Sequence, residues 1–459
     1  MSVPPLLKKR LEALLGTEAA ELEKALELPP CRALRLHPHR ITREELEKEL
    51  EGGLGEPIPF FPHCYRFEHP AIGRTLSHLG GAVYVQEPAA MAPVAALEQE
   101  PVQRILDLCA APGGKSLQAA TLLEENGLLV CNEPSPERRR ALMQNLERMG
   151  EKRALVSGVD AQKIPSDWYE AFDLVICDAP CSGEGMLRKS EDAAEMWSLE
   201  NVLLCAERQE KILESAYRAC APGGRILYST CTWAMEENEE QVAKLLHRHE
   251  DLSLIPPRSE VARWAKEVIS PEGEEGDFSS CLRFYPHRFS GEGQFLAVLR
   301  KEGSFDFSPP KKRNEKKASQ KKPSPEWIAA RNFLEETLTE LPSESLLLRG
   351  ETVYLAPSHP FREDLFVSAG VPVGTVQKGR ILPHHRFFIS YAPLFSRRIS
   401  LSLGDPRIEA YLRGEEIPLE GYEKGWSLLM AERIPLGGIR VVNGRGKNAY
   451  PKGLRRNGG

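Results

Sequence analysis

Apolar positions near the N-terminus recur at helical spacing: Leu6, Leu7, Leu11, Leu14 and Leu15, then Leu22, Ala25 and Leu26. The spacing predicts two amphipathic helices, from Pro4 to Gly16 and from Glu18 to Leu28. A strand is expected over Cys31 to Leu36. Thr42 then caps a third helix, Arg43 to Glu51, with Glu45 at the third position of a capping box. From Ile105 the pattern changes, and short apolar runs alternate with longer amphipathic stretches. Strands are predicted at Ile105 to Leu108, Leu128 to Cys131, Ala154 to Ser157, Leu174 to Cys177, Arg225 to Tyr228, Leu282 to Tyr285 and Gln294 to Leu299. Helices are predicted at Lys115 to Glu125, Pro136 to Met149 and Leu203 to Ala219. Such alternation predicts a doubly wound α/β sheet with its ligand crevice at the strand C-termini. The last two strands read as a hairpin at one sheet edge. After Trp327 to Leu341, a helix, the pattern is β-rich. Thr352 to Leu355 and Leu365 to Val367 read as strands, Pro406 to Leu412 as a helix, and the chain closes on Trp426 to Met430 and Ile439 to Val442.

With 459 residues the chain exceeds one core. The boundaries expected are 1–98, 99–301, a linker at 302–325, and 326–459. The linker carries Pro309, Pro310, Pro323 and Pro325 with Lys311, Lys312, Arg313, Lys316, Lys317, Lys321 and Lys322, and is too polar to bury. Solvation alone and contact with a nucleic acid are its two readings. The net charge of −6 hides a basic end: from Gly437 onward there are Arg440, Arg445, Lys447, Lys452, Arg455 and Arg456 and no acid. The aromatic stretch Phe60-Phe61-Pro62-His63-Cys64-Tyr65 reads as small-domain core rather than as an RNA-facing platform. No run approaches a membrane span, and Met1 to Lys9 lacks the apolar core of a signal peptide, so a cytoplasmic protein is expected. The ten cysteines read mostly as reduced core thiols. None has Cys-x-x-Cys spacing, so no metal is expected.

The stretch Ile105 to Ser116, Ile-Leu-Asp-Leu-Cys-Ala-Ala-Pro-Gly-Gly-Lys-Ser, is strand, glycine turn and helix start. Glycines let backbone approach a nucleotide-type ligand, and the helix start offers free N–H groups. A P-loop is the rival reading. Its pattern needs glycine at position 109, which is Cys109, and Pro112 removes an N–H that should hold phosphate. Glu133 ends the next strand, roughly 20 residues on, where a carboxylate accepts hydrogen bonds from ribose hydroxyls. Nicotinamide and S-adenosylmethionine sites share that arrangement, and spacing alone does not separate them.

Two cysteines narrow the chemistry. Asp178-Ala179-Pro180-Cys181-Ser182-Gly183 follows the fourth strand and Ser229-Thr230-Cys231-Thr232 follows the fifth. A lone cysteine is usually a buried thiol. Two in turns at the functional edge of one sheet point to catalysis. Cytosine C5 is a poor nucleophile until a thiolate adds at C6. An enzyme exploiting this needs a nucleophilic Cys, a group for N3 and help with release. Asp178 is placed for N3, and Arg188 or Lys189 is expected to assist the thiolate.

Together, Cys109 to Lys115, Glu133, Asp160, Asp178 to Gly183 and Ser229 to Thr232 resemble the Nop/Sun family of RNA 5-methylcytosine methyltransferases, over roughly Arg66 to Arg300. The resemblance implies a class I methyltransferase fold with an antiparallel final strand, flanked by a small α+β N-terminal domain and a β-rich C-terminal RNA-binding domain. It implies Cys231 as nucleophile and Cys181 in release. It implies S-adenosylmethionine bracketed by Cys109, Ala110, Ala111, Pro112, Gly113, Gly114 and Lys115, with Glu133 on the ribose, Asp160 at the adenine and Asp178 facing the crevice. Asp160 also has a plain reading as a solvated loop acid. The tail, Gly425-Trp426, Pro435 to Gly437 and Lys447 to Arg455, is similar to the C-terminal extension of bacterial ribosomal RNA methyltransferases of the RsmF type. Where many relatives carry serines after Gln86-Glu87, this chain has Pro88-Ala89-Ala90, expected to pack beside the cofactor without binding it. The implied substrate is small-subunit ribosomal RNA. Transfer RNA is the alternative within the class, and a non-catalytic RNA-binding assembly factor the alternative outside it.

Overall fold

The computed structural model describes residues 3–189, 194–195, 197–268, 270–271, 276–304 and 324–456. Most of the proline- and lysine-rich linker, 305–323, lies outside the described residues.

The N-terminal region opens with helices Pro5–Leu15 and Ala19–Leu26, as the leucine spacing predicts. Helix Arg43–Glu49 is capped reciprocally: Glu45 N–H donates to Thr42 Oγ1 at 3.2 Å and Thr42 N–H to Glu45 Oε2 at 2.8 Å. Strands β1 (Ala33–Leu36), β2 (Leu54–Pro57), β3 (Cys64–Phe67) and β4 (Val83–Gln86) form an antiparallel sheet in the order β2-β3-β1-β4. Phe60 is buried and packs its ring 5.2 Å from that of Phe289, so the aromatic stretch is core against the central domain.

The central sheet contains β5 (Val102–Asp107), β6 (Leu123–Asn132), β7 (Ala154–Ser157), β8 (Phe172–Asp178), β9 (Cys220–Thr230), β10 (Leu252–Leu254), β11 (Lys266–Glu267), β12 (Leu282–Phe284) and β13 (Gln294–Lys301). Strands β7-β6-β5-β8-β9 are parallel. The chain leaves β5 for β6 on one side and returns as β8 on the other, which opens a crevice at the C-terminal ends of β5 and β8. β13 pairs antiparallel with β9, and β12 with β13, so the hairpin lies at that edge. Helix Pro136–Met149 has Ser135 at its N-cap, proline at its first position and Gly150 (φ 75°) ending it in the left-handed region.

Two expectations are corrected here. The helix after the glycine turn covers only Gly114–Ala119, followed by one turn of 3₁₀ helix, and Leu123 already belongs to β6, paired with Val102. Its leucines suit either element, and pairing with β5 decides. The pattern along the chain assigns Leu365 to Val367 to the C-terminal module. The strand there, β16 (Phe366–Ala369), instead extends the central sheet, antiparallel to β7. The neighbouring strands β14 (Ser345–Arg349), β15 (Thr352–Ala356), β17 (Val371–Gln377) and β18 (Arg380–Pro383) make a small sheet of their own.

Strands β19 (Arg398–Leu401), β20 (Ile417–Pro418), β21 (Gly425–Ala431), β22 (Ile434–Val442) and β23 (Arg445–Asn448) form the last sheet, and Arg386 to Ile389 lies in the short helix His385–Ser390. Its apolar face shares one core with the N-terminal sheet: Leu34, Val83 and Leu46 pack with Ile399, Leu429 and Val441. Arg40 donates to the carbonyls of Gly80 (3.1 Å), Arg148 (3.3 Å) and Ile389 (3.3 Å), and so joins all three regions. Among the described residues no helix is long and apolar enough to cross a membrane.

Candidate active site

Register places the chemistry. Asp107 is level with Cys131 and Ile176, Asn132 with Ser157, and Asp178 with Ser229. The strand ends of β5, β6, β8 and β9 therefore bring Asp107, Asn132, Asp178 and Ser229 to one edge, and the loops that follow carry the glycine turn, Glu133, Cys181 and Cys231.

The glycine turn leaves β5 at Asp107. This carboxylate is buried and accepts from Ser116 Oγ at 2.6 Å and from Cys109 N–H at 3.3 Å. Burial pushes its pKa up to about 7, against the bond from Ser116. Gly113 sits at φ 108°, a conformation that favours glycine. The turn is held from outside by long side chains: Arg138 donates to Ala111 O (3.1 Å), Asn145 to Pro112 O (2.9 Å) and Arg35 to Gly114 O (3.2 Å). Asp107, Cys109, Ala110, Ala111, Pro112, Gly114, Lys115 and Asp178 line a cavity of about 230 Å³, closed on its far side by Tyr84 to Glu87 and Ala90.

Glu133 is buried just past β6. Its Oε1 accepts from Ser135 N–H at 2.9 Å, while Oε2 has no hydrogen bond and lies 3.3 Å from Arg138 Nη1. Arg138 thus spans from Glu133 to the glycine turn. Asn132 ties the loops on either side: its amide donates to Leu108 O (3.0 Å) and Val159 O (2.9 Å) and accepts from Val159 N–H (2.9 Å). Asp160 follows Val159. It is exposed, and accepts from Gln162 N–H at 3.0 Å. It does not line the cavity that the glycine turn shares with Asp178.

The two sulfurs meet. Cys181 Sγ and Cys231 Sγ are 3.1 Å apart, both thiols free and half-buried, and Cys231 N–H points to Cys181 Sγ at 3.3 Å. The contact with Cys231, and then burial, hold the Cys181 pKa well above the usual thiol range. Asp178 accepts from Ser229 Oγ at 2.7 Å and pairs with Lys115 Nζ at 2.9 Å. Burial works against the Lys115 charge, but its ion pair with Asp178 outweighs it and raises its pKa. Lys115 is therefore the cation set among the reacting groups. The expectation for Arg188 fails on geometry: it is buried against Glu292 Oε2 (2.8 Å) and donates to Gly291 O (2.6 Å), away from the thiols. Lys189 is exposed, and its charge is felt by Glu87.

Two buried carboxylates that sequence reasoning left without a role fix the cysteine loops. Glu237 accepts from Ser182 N–H (3.0 Å) and from Gln209 Nε2 (2.8 Å), which also donates to Pro180 O (2.9 Å). Burial lifts its pKa to about 7. Glu184 accepts from Trp233 N–H (3.0 Å) and Trp197 Nε1 (3.0 Å). Asn238 accepts from Thr230 Oγ1 (2.6 Å) and donates to Thr232 O (3.0 Å), and Ser182 and Thr232 hydroxyls meet at 2.9 Å. The signal in the sequence is slight: an acid three positions after Cys181 and another six after Cys231, in stretches whose polarity suggests surface.

The donor set fits S-adenosylmethionine. Glu133 Oε2 is a buried acceptor with no hydrogen bond, able to take a hydroxyl, and the glycine turn lines a cavity of its own with Lys115 and Asp178. Among the described residues no group of His, Cys, Asp and Glu side chains gathers as a metal site.

Comparison with known proteins agrees along the whole chain. Residues 94–300 match the family model of the 16S rRNA methyltransferase RsmB/F. Residues 3–88 match the N-terminal domain of 16S rRNA methyltransferase RsmF, and 398–456 the methyltransferase RsmF PUA domain. The chain is 31% identical to the ribosomal RNA small subunit methyltransferase F of Vibrio parahaemolyticus, over 99% of this chain and 98% of that protein. It is 30% identical to that of a Shewanella strain, over 93% and 91%. Among solved structures, a methyltransferase homolog protein from Pyrococcus horikoshii superposes with TM-score 0.55 at 28% identity, covering 64% of this chain and 94% of that one. The fold of NSun6 from the same organism gives TM-score 0.54 at 23% identity, covering 66% and 99%.

Proposed function

The chain belongs to the 16S rRNA methyltransferase RsmB/F family, and on that premise we propose how its site methylates cytosine C5 in small-subunit ribosomal RNA. S-adenosylmethionine, when bound, supplies the electrophilic methyl group. The observation that carries the reading is the pair of sulfurs 3.1 Å apart at the strand ends beside the cofactor cavity.

Cys231 is the nucleophile. Its thiolate, stabilised by Lys115, bonds to C6 of a flipped-out or unpaired cytosine and breaks the C5–C6 double bond. Asp178 hydrogen-bonds N3 and supplies the proton that neutralises the negative charge developing there. C5, now enamine-like, takes the methyl group as that group's bond to the cofactor's sulfur breaks. Water then takes the C5 proton, the C5–C6 double bond re-forms and the Cys231–C6 bond breaks, with Cys181, in contact with Cys231, assisting the thiolate's departure. The contact between the sulfurs puts Cys181 where it can hydrogen-bond the departing Cys231 sulfur. Glu133 holds the ribose hydroxyls, the turn Cys109 to Lys115 brackets the methionine and ribose, and Asp160 reaches the adenine amino group from the loop after β7.

RNA is held by the flanking regions. On the β22–β23 hairpin Arg440 stands directly opposite Lys447, both exposed. Like charges facing each other are unfavourable alone and suited to a phosphate backbone. Arg455 and Arg456 from the same tail are used internally instead: Arg455 donates to Tyr450 O at 3.3 Å, and Arg456 binds Glu409 and Arg74 O. The substrate is the RNA or the assembling subunit in the cytoplasm.

The test is methyl transfer from labelled cofactor into naked small-subunit RNA, assembled subunits and transfer RNA, with digestion to nucleosides. The reading expects 5-methylcytosine in small-subunit RNA or subunits and none with Cys231→Ala. Label only in transfer RNA overturns the substrate, and cofactor binding with no RNA labelled overturns the enzyme.

A further inference from the structure

We infer that Gln86 binds the amino-acid end of the cofactor, its side-chain oxygen accepting a hydrogen bond from the α-ammonium group. The inference rests on the cofactor reading above and names a contact that reading does not use. Gln86 ends β4 in the N-terminal sheet, outside the methyltransferase core, and its side chain enters the cavity of the glycine turn. The residue is only 9% exposed. Its Nε2 donates to Ala90 O at 3.0 Å, which settles which end of the amide is oxygen. Oε1 is buried and has no partner. The carboxamide lies against the turn, since a Cβ built on Gly114 would stand 3.4 Å from Oε1. Leaving a buried carbonyl oxygen unpaired is costly, so a ligand donor is the natural partner.

Which donor follows from placement. Two buried acceptors near the turn have no hydrogen bond: Glu133 Oε2 just past β6, which lies against Arg138, and Gln86 Oε1, whose residue lines the cavity. The strand-end carboxylate is the one suited to a vicinal diol. Gln86 shares its cavity with Asp107 and Asp178, against the single lysine Lys115. The Asp107 and Asp178 side chains already have partners within the chain. A cationic N–H group matches that wall, and the cofactor carries one at the end opposite its adenosine.

Calorimetry on the full chain separates the possibilities, with two probes: S-adenosylhomocysteine, which has the ammonium, and 5′-methylthioadenosine, which has the nucleoside and thioether but no amino acid. Gln86→Met keeps the side-chain length and removes the acceptor. Gln86→Glu keeps an acceptor. The expected result is S-adenosylhomocysteine binding weakened about tenfold, or ~1.4 kcal/mol, in Gln86→Met. Methylthioadenosine should stay within about twofold, and Gln86→Glu should restore the first ligand. Gln86→Leu, read in the same way, repeats the comparison with a different apolar shape. Equal weakening of both ligands in both apolar variants, or no weakening of either, overturns the assignment. Wild type that binds neither probe overturns the cofactor reading itself, and this inference with it.

Discussion

The glycine turn and the two cysteine loops lie side by side at one sheet edge and are held in opposite ways. Residues Cys109 to Gly114 are gripped through the carbonyls of Ala111, Pro112 and Gly114 by Arg138, Asn145 and Arg35, and the buried acceptors Glu133 Oε2 and Gln86 Oε1 nearby have no hydrogen bond. The cysteine loops are gripped by buried carboxylates whose oxygens are engaged by Ser182, Gln209, Trp197 and Trp233. One region keeps hydrogen-bonding capacity for a ligand that comes and goes. The other spends its capacity internally and leaves the thiols as the open groups, as suits atoms that must meet at bonding distance. Removing a side chain should therefore show as affinity in the first region and as rate in the second.

The largest expected departure lies where the regions touch. Asp178 joins Lys115 of the turn to Ser229 of the nucleophile loop. Asp178→Asn should cut kcat by between about 10² and 10⁴, measured at saturating cofactor and RNA. Activity within a fewfold of wild type would remove Asp178 from the chemistry. Next, Glu133→Ala should raise the cofactor Kd by about 10- to 100-fold, the worth of charged hydrogen bonds, with kcat at saturation nearly unchanged. A loss in kcat alone would erase the contrast. Third, Glu237→Gln should lower kcat by roughly tenfold at unchanged cofactor Kd, because the Ser182 and Pro180 contacts loosen.

The smallest effect concerns pH. Burial raises the folded-state pKa of Asp107, Glu237 and Glu239 to about 7, above their unfolded values. Between those values the folded chain holds more protons than the unfolded one, so stability falls as pH rises from about 4.5 to about 7. This contribution is complete below the unfolded pKa and lost above the folded one. Glu237→Gln should flatten the decline of Tm over that window; an unchanged slope would mean that Glu237 ionises in the fold as easily as in the unfolded chain.

The same contrast explains what the sequence made legible. The glycine turn is local, and its geometry follows from the order of its residues: Asp107, Gly113, Gly114 and Glu133 sit where strand, turn and spacing place them. Ala154–Ser157 and Pro136–Met149 keep their expected bounds because β-branching, capping and periodicity agree there. What failed was nonlocal. Leu123 joins a strand because Val102 is opposite it, and Phe366–Ala369 joins the central sheet because β7 offers a free edge. Arg188 turns to Glu292, 104 positions away. Glu184 and Glu237 look like surface acids, since nothing beside them in sequence shows that Gln209 and two tryptophans converge on them. Gln86 carries no local signal, because its unpaired oxygen arises only from the packing of β4 against the glycine turn.

The central claim is that Cys231 forms the covalent bond and Cys181 dissolves it. The direct measurement is a denaturing gel of each variant after incubation with cofactor and labelled small-subunit RNA. Cys181→Ala should accumulate an RNA–protein adduct that survives denaturation, Cys231→Ala should give neither adduct nor 5-methylcytosine, and the double variant should give no adduct. An adduct formed by Cys231→Ala, or methylation retained in it, would contradict the account and make Cys181 the attacking thiol.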